Sequence, residues 1–152
     1  MKLKIMEKKV FKISINANPE KVWNTLWSKI TYPLWTSPFS EGSRAETDWQ
    51  KGSKALFLNP DNNGMISVIS DNIPNKFMSI KHLGRVRNGV EDMESELSRE
   101  WTGAFENYSL NGENGKTDLI VEMDVVEKYA EFFENNWPKA LDLVKKYTEQ
   151  NN

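Results

Sequence analysis

Between positions 129 and 150 the apolar residues Phe132, Phe133, Trp137, Ala140, Leu141, Val144 and Tyr147 recur every three or four residues. That spacing lines one face of a helix of roughly six turns. A helix so long and so one-sided needs an extended apolar surface to lie on. The chain supplies one, because nearly everything between Glu41 and Glu127 reads as short alternating strands closed by turn residues. The expected fold class is therefore α+β, a curved antiparallel sheet of about seven strands covered by the C-terminal helix. Between two such layers lies either a packed core or a cavity suited to an apolar small molecule.

The rest of the chain fits that plan. Residues 8–16 alternate, with Phe11, Ile13 and Ile15 on one face and Lys12, Ser14 and Asn16 on the other, as in a half-buried strand. Asn18-Pro19-Glu20 then joins a capping side chain, a proline at the first helical position and an acid in the first turn. Val22, Trp23, Leu26, Trp27 and Ile30 form that helix's apolar side. A break at Thr31-Tyr32-Pro33 leads to one more helical turn at Leu34-Trp35, which Pro38 ends. Strands are expected at 43–49, 54–58, 65–70, 77–86, 101–110 and 117–126, in meander order, with residues 111–115 as a hairpin loop. The acid-rich stretch 87–98 reads as a mobile loop. Pro138 should bend the last helix near 134–137 or break it in two. No linker divides residues 1–152, so a single domain is expected.

Charge and composition exclude several function classes. Twenty Lys plus Arg against 22 Asp plus Glu, with a pI of 5.6, leave no basic stripe for nucleic acid and no bias toward an anionic membrane. The lysines at 2, 4, 8, 9 and 12 read as a solvated strand surface. Without cysteine there is no disulfide, thiolate metal site or cysteine nucleophile. No apolar run is long enough for a membrane span or a signal-peptide core, so a cytoplasmic location is expected. With one histidine, no two-histidine metal site is available. Asp118, Glu122 and Asp124 read as a solvated face, and Asp61-Asn62-Asn63-Gly64 as a tight turn, not a calcium loop. No phosphate-binding glycine loop or nucleophile elbow appears, and neither metal nor cofactor is expected.

Two residues are candidates for acid–base chemistry. His82 shares a strand face with Met78 and Ile80, which points it either into a cavity or into ordinary packing. Glu106 shares a face with Thr102, Ala104, Tyr108 and Leu110. If that face turns inward, Glu106 is a carboxylate in apolar surroundings and a candidate general acid or base; otherwise it is a surface acid or one paired with a neighbouring Lys or Arg. The concave sheet face and the helix stripe must meet, and their meeting defines the candidate ligand-binding residues. The sheet and first helices offer Trp35, Phe57, Met78, Ile80, His82, Tyr108 and Met123. The final helix offers Phe133, Trp137 and Leu141. Each of these reads equally well as plain core.

The order of elements, with several local segments, resembles the START-like superfamily, also called polyketide-cyclase/dehydrase-like or SRPBCC. The segments are residues 17–23 (ANPEKVW), Trp35, residues 49–52 (WQKG), residues 73–77 (IPNKF), residues 115–119 (GKTDL) and residues 137–141 (WPKAL). They span nearly the whole chain. Within that superfamily the likeness is to the bacterial branch related to the C-terminal domain of the activator of heat-shock-protein ATPase. The resemblance implies a helix-grip fold, strand, two helices, six strands and one long helix. It also implies binding of a small hydrophobic ligand in a carrier or sensor role. Its alternatives are a cyclase, dehydratase or hydrolase using Glu106 or His82, or a module that binds a chaperone or another protein. The eukaryotic co-chaperone's separate N-terminal domain has no counterpart in these residues, which lowers the expectation of that last role. A monomer or a homodimer fits each alternative.

Overall fold

The computed structural model describes residues 6–150. Strand β1 (Met6–Ile15) is followed by helices α1 (Pro19–Trp27) and α2 (Tyr32–Trp35). Next come β2 (Arg44–Glu46), β3 (Lys54–Leu58), β4 (Gly64–Ile73), β5 (Phe77–Arg87) and β6 (Val90–Asp92). A short helix α3 (Glu96–Arg99), then β7 (Phe105–Glu113), β8 (Lys116–Val126) and α4 (Ala130–Gln150) complete the order. All strand pairs are antiparallel, and the main path across the sheet is β1-β8-β7-β5-β4-β3-β2, with β6 paired to β5. The curved sheet gripping α4 is the expected helix-grip fold, with eight strands where about seven were expected.

Local chemistry accounts for the element ends. The Asn18 side chain accepts a hydrogen bond from the Lys21 N–H at 3.0 Å, and Pro19 opens α1, so both halves of the start signal operate. Asn114 and Gly115 have φ of 52° and 77°, the left-handed pair that a two-residue hairpin requires. The β7–β8 loop is therefore shorter than the expected 111–115. Asn59 closes the β3–β4 turn by accepting from the N–H groups of Asp61 and Asn63. Gly64 then enters β4 so close to β3 that an added Cβ would lie 1.8 Å from the Phe57 carbonyl oxygen.

Four expectations need correction. The stretch 87–98 holds β6 and α3, because Asn88 and Gly89, at φ 49° and 81°, form a second two-residue hairpin and Ser95 caps α3. The expected strand 43–49 shrinks to β2, since the chain turns at Trp49, whose φ is 64°. The expected strand 101–110 starts only at Phe105, because 101–103 form a turn with Gly103 at φ 88°. Finally, the break allowed at Pro138 does not occur, and α4 is one helix running through it. Lys2 and Lys4 lie outside the described residues; Lys9, by contrast, faces α4 and pairs with Glu134 at 2.6 Å.

The main core lies between the concave face and α4, where Ile15, Leu119, Val121 and Val125 meet Ala140, Leu141 and Val144. Ile66, Leu58 and Val86 form a separate cluster. A β-bulge separates the two. Ile66 pairs with Gly84 while Ser67 pairs with His82, which leaves Leu83 as an extra residue on β5. Without that insertion His82 and Val86 would share a face. With it, His82 turns toward the helix and Val86 joins the second cluster.

Candidate functional site

Packing between sheet and helix leaves a cavity of about 300 Å³. Its walls come from α2, β3, β4, β5, β7, β8 and α4, with polar lining from Arg44, Asn59 and Asn63 on β2 and the β3–β4 turn. The aromatic wall is braced from behind. Trp137 packs against Phe11, Trp35, Phe39 and Tyr108, with ring centroids 4.9 to 6.1 Å apart. Its indole N–H donates to the Met123 sulfur at 2.9 Å, and the Trp35 N–H donates to the Leu26 carbonyl at 3.0 Å. Both buried indoles are thereby satisfied.

One wall carries a chain of polar groups. Ser67, fully buried, lies 2.7 Å from His82 Nδ1, and His82 Nε2 lies 3.3 Å from Glu106 Oε1. The Tyr108 hydroxyl donates to Glu106 Oε2. The carboxylate oxygen can only accept, so Nε2 carries the proton in neutral His82. Nδ1 is then free to accept from the Ser67 hydroxyl. Hydrogen-bond donation thus runs toward Glu106 from both sides.

Burial pushes the Tyr108 hydroxyl well above the usual phenol range, helped by the nearby Glu106 charge and by the bond donated to it. Tyr32 is raised as well, first by burial and then by Glu106. Both phenols keep their protons at neutral pH.

Of the residues singled out from sequence, Trp35, Phe57, His82, Glu106, Tyr108, Met123, Phe133 and Trp137 line the cavity. Met78, Ile80 and Leu141 lie in the packed core beside it. Further participants, Tyr32, Ser67 and Trp101 among them, carried no usable sequence signal. Tyr32 sat in an expected break, Ser67 looked like one polar residue in an alternating strand, and Trp101 was placed on a strand. Among the described residues, no group of three or more His, Asp or Glu is placed to hold a metal ion. No helix among them is long and apolar enough to cross a membrane.

No protein-family model matches the chain, and no curated protein matches it. Solved structures do. A protein from Mesorhizobium loti superposes with a TM-score of 0.74 at 12% identity, covering 96% of this chain and 99% of that one. The Aha1 dimer from Colwellia psychrerythraea gives 0.67 at 17% identity, covering 94% and 96%. CalU16 from Micromonospora echinospora gives 0.62 at 16% identity, covering 92% and 73%. The chain has their fold. That shared fold, found also in the Colwellia Aha1, agrees with the helix-grip arrangement that the sequence resemblance implies.

Proposed function

We propose that the chain binds one small, largely apolar or aromatic molecule between the sheet and α4, as a carrier or sensor. The observation that carries this reading is a cavity of about 300 Å³, at the lower end of the range for small-molecule sites, walled by aromatic rings and bearing one polar array. The superfamily whose folds the neighbours share binds hydrophobic ligands, which supports the same reading. A protein-interaction module is expected to show an exposed apolar patch and a largely filled interior, and the open cavity favours ligand binding over it.

Catalysis is the weaker use of the array. Ser67 is 0% exposed and does not line the cavity, so it cannot serve as a nucleophile. Both Glu106 oxygens already accept hydrogen bonds, which suits a fixed anchor for a ligand.

The test is native mass spectrometry of gently purified protein, followed by calorimetric titration with a panel of aromatic and aliphatic molecules. Saturable binding at one molecule per chain is expected. It should be lost in Met65→Trp, which fills the cavity from β4, while the circular dichroism spectrum and melting transition persist. A ligand-free mass with no saturable heat across the panel would overturn the reading. The same mass separates a monomer from a homodimer, the state in which the Colwellia neighbour was solved.

A further inference from the structure

Glu106 meets the cavity with its carboxylate already oriented. Oε1 accepts from His82 and Oε2 from Tyr108, and its side chain retains 19% exposure. A carboxylate offers about four lone-pair sites, so the two protein donors leave it able to accept more. Among the described residues the ionisable side chain that meets it is His82, a neutral donor in this arrangement, and no lysine or arginine pairs with it. Arg44, the cationic side chain on the lining, is engaged elsewhere: it bonds Glu46 at 2.8 Å, the Asn59 carbonyl at 3.2 Å and Asn62 at 2.5 Å.

The cavity therefore presents an under-neutralised acceptor among electron-rich rings. Such surroundings attract a cation or a hydrogen-bond donor through both the carboxylate and the ring faces. An anionic head group meets the opposite situation, two like charges held between apolar walls. Resting on the reading above, we infer that the ligand carries a hydrogen-bond-donating head group, a protonated amine or a hydroxyl, which docks on Glu106, and that carboxylates of the same shape are rejected. A hydroxyl has a second partner in Tyr32 on the same lining, whose retained proton can meet the ligand oxygen while Glu106 accepts the ligand's hydrogen.

Four probes of one shape test this at neutral pH by calorimetry: naphthylmethylamine, naphthylmethanol, ethylnaphthalene and naphthoate. The amine and the alcohol should each bind about tenfold more tightly than ethylnaphthalene, and naphthoate should bind weakest. Preference for the amine over the alcohol identifies a cationic ligand, and the reverse a neutral one. Glu106→Gln, which keeps the shape and removes the charge, should close the gap between amine and naphthoate by about tenfold. Naphthoate binding as tightly as the amine, or a gap unchanged in Glu106→Gln, overturns the inference. Equal binding of all four leaves the cavity reading intact and overturns the donor selection alone, whereas no binding of any overturns both. The unsubstituted protein decides the matter even if the variant fails to fold.

Discussion

A serine with no exposed surface needs a partner for its hydroxyl, and Ser67 has one in His82 Nδ1 at 2.7 Å. Ser67→Ala leaves that ring nitrogen buried without a donor, a loss of about 1–3 kcal/mol in unfolding free energy measured by urea at neutral pH. The tautomer should stay as it is, because Glu106, which can only accept from Nε2, sets it. With a single histidine in the chain, ring nitrogen NMR shifts need no assignment. They should report the Nε2–H form in both the parent protein and the variant. A stability change near zero would show that Nδ1 does not depend on the Ser67 donor, and a tautomer mixture in the variant would show that Ser67 and not Glu106 places the proton. His82 and Glu106 were both open to discovery from strand parity, because each sits among apolar neighbours on one face. Ser67 was not, since its facing depends on which residue of β5 it meets.

The same contrast holds for whole elements. The alternation of β1 and β8, the Asn18-Pro19 start of α1 and the stripe of α4 are local signals, and each produced its element within a few residues. The bulge at Leu83 is a property of a strand pair, and no single strand's pattern reveals it. The hairpin at Asn88-Gly89 was legible, since Asn-Gly is the strongest two-residue turn signal, but the acids around it pointed to a loop. Two glycines test how such turns are held. At Gly89 an added Cβ meets nothing within 4 Å, yet φ is 81°, so Gly89→Ala should cost about 1–2 kcal/mol from backbone strain alone. At Gly64 the obstacle is the Phe57 carbonyl oxygen, and Gly64→Ala must push β3 away from β4 beside the cavity. Denaturant unfolding should show the larger loss for Gly64→Ala, with perturbed amide shifts in β3. A larger loss at Gly89 would mean that the close approach of β3 and β4 yields easily.

Across the whole molecule, the shifted groups fix where stability changes with pH. Glu149 is held below the usual carboxylate range by Lys145 and the Asn16 N–H, Asp48 by Ser53 and the Gln50 N–H, and Asp92 by Ser95. Lowered carboxylates contribute stability above their unfolded values and lose it as pH falls through the folded ones, so the acid loss belongs below about pH 4. The alkaline limb is set by two phenols, Tyr108 in the core and the half-buried Tyr32 on the cavity wall. Tyr108 and Tyr32 are raised when folded, so below about pH 10 both states hold the phenol protons and no stability is lost. Above it the unfolded chain releases protons that the folded chain retains, and stability falls by about 1.4 kcal/mol per pH unit for each phenol kept neutral. Paired lysines such as the half-buried Lys9 and the exposed Lys128 are also raised and add to the fall, so the decisive comparison is between variants. Tyr108→Phe loses its bond to Glu106 and should be less stable at neutral pH, but its decline from pH 10 to 11 should be shallower by about one phenol's share. Parallel declines in the two proteins would show that the Tyr108 hydroxyl opens to solvent and ionises in the folded state. Such opening would leave Glu106 with a single protein donor and a cavity less well shaped for the ligand it is proposed to hold.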